Sequence, residues 1–168
     1  LGISLIGLGD VDGDGVDDLG IGADSTAAAN SDAAYVVYGA AGDPPGTLLD
    51  SADLGGRGYR ILGAPGSSAG FSLAAAGDVD RDGLADLLVG GYGAGANGTA
   101  WLVHGIADPT QLKANNEGGG SAIVPANPAD ATRTLSLDGL PAAAGSALAG
   151  QTAGERFGRQ VANAGDVD

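Results

Sequence analysis

Two stretches of this chain carry carboxylates at a spacing suited to a hard cation. Asp10-Val11-Asp12-Gly13-Asp14-Gly15-Val16-Asp17-Asp18 has acids at positions 1, 3, 5 and 9. Asp78-Val79-Asp80-Arg81-Asp82-Gly83-Leu84-Ala85-Asp86 repeats the pattern. In a tightly turning loop, odd spacing brings carboxylates to one side, and Gly15 or Gly83 at position 6 permits the turn. The backbone carbonyl at position 7 (Val16, Leu84) supplies a further oxygen, and position 9 (Asp18, Asp86) reaches back from the next element. Such an anionic, all-oxygen pocket suits Ca²⁺, whereas zinc and copper favour His and Cys. Mg²⁺ fits less well, because it keeps several of its waters. Two carboxylates about 4 Å apart repel by roughly 1 kcal/mol in water and about 4 kcal/mol at an effective dielectric of 20. Four in one loop therefore need solvent, separation or a cation.

The elements that hold these loops repeat with them. Leu1–Asp12 (LGISLIGLGDVD), Ala69–Asp80 (AGFSLAAAGDVD) and Phe157–Asp168 (FGRQVANAGDVD) align, with anchors Asp10, Asp78 and Asp166 spaced by 68 and then 88 residues. Beyond the anchors, Gly13–Asp24 aligns with Arg81–Tyr92, Ala33–Gly39 with Thr99–Gly105, and Thr47–Gly63 with Thr134–Gly150. The extra 20 residues of the second unit fall between Gly105 and Thr134, in a Pro-, Asn- and Gly-rich stretch that reads as a surface loop. The units are thus 1–68, 69–156 with an insertion at about 106–133, and a third copy, 157–168, that breaks off within its own acidic motif after Asp166 and Asp168.

Each unit reads as β. Ile3–Leu8, Asp18–Gly22, Tyr35–Tyr38 and Tyr59–Leu62 form one set of strands. Phe71–Ala76, Asp86–Gly90, the Trp101 segment and a weaker Ala147–Ala149 form the other. In Tyr35–Tyr38, Tyr35 and Val37 share one face, with Val36 and Tyr38 on the opposite one. Four short strands per unit of about 70 residues is the pattern of a propeller blade. An EF-hand is excluded, because position 12 is Ile21 or Val89, inside a strand, instead of Glu between helices.

Composition supports this and removes other classes. Of 168 residues, 33 are Gly and 32 Ala, and 19 of the 21 acids are Asp, for a net charge of −14. One Lys and six Arg do not build a nucleic-acid patch. Gly and Asp are poor material for long helices. A hydrophobic share of 43% is too high for an acidic disordered tail. Eleven of the 19 Asp lie in the three motifs, so the charge is patterned. With no Cys, there is neither a disulfide nor a thiol nucleophile.

At these residues the chain resembles the FG-GAP repeat, the blade unit of integrin α-chain propellers and of many bacterial secreted proteins. The resemblance rests on Gly-Asp-Val-Asp-x-Asp-Gly-x-x-Asp-Leu between two strands and covers nearly the whole chain. Phe157-Gly158 carries the name-giving pair, which is Leu1-Gly2 and Ala69-Gly70 in the first two copies. The resemblance implies four-stranded antiparallel blades of a larger, seven-bladed β-propeller. It implies Ca²⁺ held by Asp10, Asp12, Asp14, the Val16 carbonyl and Asp18. A second ion would take Asp78, Asp80, Asp82, the Leu84 carbonyl and Asp86, with Asp166 and Asp168 beginning an incomplete third site. Arg81 replaces the position-4 Gly and should point outward. The metal would be structural.

The expected function is that of a non-enzymatic, calcium-stabilised segment of a bacterial secreted or cell-surface protein, serving structure, adhesion or self-assembly. Its partners would be other blades of a longer chain, other copies of the segment, or an extracellular protein or glycan. The alternatives are an accessory propeller of a secreted hydrolase and a glycan-binding module. His104, the single His, reads as structural, and no G-x-S-x-G nucleophile motif is present. Trp101 and Tyr35 occupy matching positions and read as blade packing. Arg81-Asp82-Gly83 does not have the order of an Arg-Gly-Asp adhesion motif. Gly118–Gly120 precedes no helix that would make it a phosphate loop.

Overall fold

The computed structural model describes residues 2–23, 33–42, 54, 57–107 and 134–165. Among them the chain is all-β. The strands are β1 (Ser4–Gly9), β2 (Asp18–Ala23), β3 (Ala33–Val37), β4 (Gly58–Leu62), β5 (Ser72–Gly77), β6 (Asp86–Gly91), β7 (Thr99–Val103), β8 (Thr134–Ser136) and β9 (Gly145–Ala149). No helix among the described residues is long and apolar enough to cross a membrane. The strands form two sheets, ordered β1-β2-β3-β4-β8 and β5-β6-β7-β9. Pairing is antiparallel throughout, except that β8 runs parallel to β4.

The two sheets share their register. Gly20 pairs with Val36 and Val36 with Tyr59, while Ile21 pairs with Tyr35 and Tyr35 with Arg60. In the second sheet Leu88 pairs with Leu102 and Val89 with Trp101, which pairs with Ala147. Alternate rows point to opposite faces, so Val36 and Tyr35 separate as the sequence predicts. Both sheets also carry a bulge just before the acidic loop, at Gly7/Gly9 and at Ala75/Gly77. A bulge bends the strand and ends its regular pairing, which turns the chain into the loop.

One core lies between the sheets. It includes Leu8, Val11, Val36, Tyr59 and Ile61 from the first, and Leu73, Leu87, Val89, Trp101 and Val103 from the second. Each fully buried aliphatic side chain here contributes about 1.5–3 kcal/mol relative to exposure. Leu135 and Leu137 complete this core at 0% and 4% exposure. Their burial explains the departure from the expected four-stranded antiparallel blade. Thr134–Ser136, in the second unit by sequence, crosses back and adds a fifth, parallel strand to the first sheet. It satisfies the outer edge of β4, an edge that would otherwise stay open.

Small residues set the distance between the sheets. A Cβ on Gly22 would run into the Gly70 carbonyl and the Ser4 hydroxyl. Ser4 Oγ donates to that same carbonyl at 3.0 Å. The second sheet repeats this with Gly90, Ser72 and the carbonyl of Gly158, to which Ser72 Oγ donates at 3.3 Å. In each case the Gly that opens one unit is seated on the second strand of the unit before it. Gly7, by contrast, has open space around its missing Cβ. Gly22→Ala is therefore expected to destabilise the protein by about 1–3 kcal/mol through overpacking. Gly7→Ala should be neutral or stabilising by up to about 1 kcal/mol. Urea unfolding of both variants checks this pair, and equal effects would contradict the seat.

Candidate metal centre

Each acidic loop turns because its carboxylates hold its own backbone N–H groups. In the first, Asp10 accepts from Gly13 N at 2.6 Å and Gly15 N at 2.9 Å. Asp12 accepts from Asp14 N at 3.1 Å, and Asp14 from Val16 N at 2.8 Å. In the second, Asp78 accepts from Asp82 N and Gly83 N, each at 3.0 Å. Asp80 accepts from Asp82 N at 3.2 Å and Asp82 from Leu84 N at 2.9 Å. Gly15 and Gly83 both have positive φ, 85° and 95°, which the position-6 Gly accommodates. Arg81 adopts φ 65° where the first loop has Gly13, and its side chain is exposed as expected.

Asp18 and Asp86, at position 9, open β2 and β6 and are fully buried. Asp18 uses one carboxylate oxygen for Val11 N at 2.7 Å and the other for Gly39 N at 2.8 Å. Asp86 does the same with Val79 N at 2.8 Å and Gly105 N at 2.9 Å. Each therefore pins the start of its loop and the exit of the third strand to the second strand. Charge-assisted bonds of this kind are the strong ones, and two of them offset much of the cost of burying the carboxylate.

Among the described residues, two groups of three carboxylates converge with ligand atoms within 4.8 Å of one another: Asp10, Asp12 and Asp18, and Asp78, Asp80 and Asp82. Positions 1 and 3 take part in both loops. The third member is position 9 in the first loop and position 5 in the second. Asp14 and Asp86 lie outside these groups. Val16 and Leu84 are placed by their N–H groups, each donated to the position-5 Asp. Asp166 and Asp168 lie outside the described residues. Oxygen-only donors at this separation fit Ca²⁺, which takes six to eight oxygens, better than a metal that prefers nitrogen or sulfur.

The electrostatics register the crowding. Burial pushes the Asp18 carboxyl above its ordinary range; the N–H donors of Val11 and Gly39 oppose the rise, and the charges of Asp12 and Asp10 add to it. Burial likewise raises Asp12, opposed by the Asp14 N–H and reinforced by the Asp14 and Asp10 charges. Tyr59, buried in the core, is held well above the ordinary tyrosine value by burial and by the charges of Asp18 and Asp86.

One neighbour escaped the reading of the sequence. His104 Nδ1 lies 3.3 Å from Asp80 Oδ2, beside the second loop. Its repeat-mate Tyr38 sends its hydroxyl to the Ile106 carbonyl at 3.3 Å instead. The repeat alignment paired these two residues, but a strand end gives no sign of which loop it overlooks.

The loops also touch each other. Ala85 N donates to the Asp10 carbonyl and Ile106 N to the Val11 carbonyl, both at 2.8 Å. Comparison with protein-family models gives no match, and a search of curated proteins finds none similar to this chain.

Two outcomes are expected. In chelator, Asp18→Asn should lose about 1–3 kcal/mol, because an amide cannot accept from both buried N–H groups. Asp14→Asn, whose bond is exposed, should lose under about 1 kcal/mol. Denaturant unfolding separates the two, and equal losses would contradict the brace. The second outcome concerns pH. Folded Asp12 and Asp18 hold their protons at higher pH than the unfolded chain, whose carboxyls titrate near 3.8. These groups therefore make the cation-free protein more stable as pH falls through their raised folded values toward 3.8. A bound cation needs both ionised, so its stabilisation shrinks over the same window. The Tm rise that Ca²⁺ gives over chelator should shrink as pH falls toward 3.8 and the first loop takes up protons at Asp12 and Asp18. A constant gap would contradict the assignment.

Proposed function

We propose that this chain is a pair of calcium-stabilised β-propeller blades of the FG-GAP type with the start of a third, serving a non-enzymatic structural or interaction role outside the cell. The observation that carries this reading is the recurrence of one device in both sheets. A three-carboxylate cluster sits in the loop between the first two strands, and a buried position-9 Asp locks that loop to the third strand. The shared register of the two sheets supports reading them as one repeating blade.

Ca²⁺ in these loops would neutralise the repulsion that burial and crowding create at Asp12 and Asp18. Its work would be to fix the loop, and through the loop the contact between blades. Extracellular calcium modules often bind at about 10⁻⁴ to 10⁻³ M. Millimolar external calcium fills such sites, which supports a secreted or cell-surface location for a bacterial protein of this type. The packing of Trp101, 7% exposed in the core, favours a structural role over a sugar platform.

At ten times its dissociation constant each site adds about 1.4 kcal/mol. Two filled sites should therefore raise Tm by roughly 5–10 °C for a chain of this length. Asp12→Asn and Asp82→Asn should each remove about half of that rise. Differential scanning calorimetry with millimolar Ca²⁺ and with chelator measures it. Identical Tm values in the two conditions would overturn the calcium reading.

A further inference from the structure

The two carboxylate clusters are not built alike. In the first, the third member is Asp18, a buried carboxylate whose two oxygens are fixed by Val11 N and Gly39 N. Asp86, its counterpart, stays outside the second cluster, whose members Asp78, Asp80 and Asp82 are all exposed. The second loop therefore lacks the rigid carboxylate around which the first is arranged. It has a different neighbour instead. His104 Nδ1 lies 3.3 Å from Asp80 Oδ2, with the imidazole side chain 20% exposed.

The backbone brings His104 there. His104 N donates to the Ala144 carbonyl at 3.0 Å, and Ile106 N to the Val11 carbonyl at 2.8 Å. Between them, Gly105 N donates to the Asp86 carboxylate at 2.9 Å. Three successive N–H groups are thus held by three different segments. Asp86 reaches the cluster indirectly: it fixes Gly105, and Gly105 fixes His104 beside Asp80. The other oxygen of Asp80 accepts from Asp82 N at 3.2 Å. With a contact on each oxygen, the carboxylate does not turn without losing one. A carboxylate only accepts, so the proton of the imidazole contact sits on Nδ1, and the spare lone pairs of Asp80 remain open to a cation. The first loop has no such arrangement at the matching residue. Tyr38 packs its ring against Tyr59, with centroids 6.1 Å apart, and gives its one hydroxyl proton to the Ile106 carbonyl at 3.3 Å.

We propose that His104 is the positioning residue of the second cation site, holding Asp80 where it shares a cation with Asp78 and Asp82. It does for that loop what the burial of Asp18 does for the first. The proposal rests on the calcium reading above, and it does not require His104 to touch the metal. Ligands held in place before binding lose less freedom on binding, and the partners that orient them are typically worth 10–100-fold in metal affinity.

Calorimetric Ca²⁺ titration of the full chain at one fixed pH tests this. Asp12→Asn leaves the second site to be read alone, and Asp82→Asn leaves the first. His104→Phe keeps a ring and drops the N–H. His104→Asn puts an amide N–H the same number of bonds from Cβ as Nδ1. In the Asp12→Asn chain, His104→Phe should weaken Ca²⁺ binding by about tenfold or more, and His104→Asn should recover most of that loss. In the Asp82→Asn chain, neither substitution should change the affinity. A wild-type chain that binds no Ca²⁺ overturns the metal reading and this proposal with it. Where wild type binds two Ca²⁺, three results overturn the positioning role alone: a second site indifferent to His104→Phe or tightened by it, an equal loss at both sites, or a loss that His104→Asn does not recover.

Discussion

The structure depends on one buried carboxylate per unit. Asp18 and Asp86 each accept two backbone N–H groups, one from the loop start and one from beyond the third strand. Without that clamp, three segments would meet at the loop with unsatisfied N–H groups in the interior, at about 1–3 kcal/mol each. With it, the loop is held against the sheet, and the carboxylates at positions 1 and 3 come to ligand distance in both loops. Binding chemistry and packing thus share a residue. In the first loop Asp18 is both brace and member of the cluster, while in the second Asp86 is brace and Asp82 completes the cluster.

The clamp acts beyond its own sheet. By fixing Val11, it places the carbonyls of Asp10 and Val11 where Ala85 and Ile106 of the second unit can donate to them. At the other end of the strands, Gly22 and Gly90 leave room for the opening Gly of the next unit. At Gly22 and Gly90 a side chain would hold the two units apart. A charge of −14 is likewise local, and two Ca²⁺ would bring it to about −10.

Much of this was legible because the sequence contains its own comparison. A six-residue apolar run is ambiguous alone, but two such runs at matching distances from an Asp motif are not. Ser4–Gly9 and Ser72–Gly77, or Asp18–Ala23 and Asp86–Gly91, were therefore found to within a residue or so at each end. Thr134–Ser136 was not found, since three residues carry no periodicity and their partner strand ends 72 positions earlier. The acidic positions were readable from spacing, as the property of one short loop. The second role of position 9 was not, because one of its donors, Gly39, is 21 residues away. The place of His104 beside Asp80 was hidden for the same reason. A repeat alignment gives equivalence between units, whereas this contact is peculiar to one of them.

The central claim is that each loop is a discrete cation site. Equilibrium dialysis against Ca²⁺ in the presence of excess Mg²⁺ measures it directly. The chain should bind two Ca²⁺, falling to one in Asp12→Asn and to one in Asp82→Asn. A chain that retains no Ca²⁺ at millimolar concentration, or that keeps two in both variants, would contradict it.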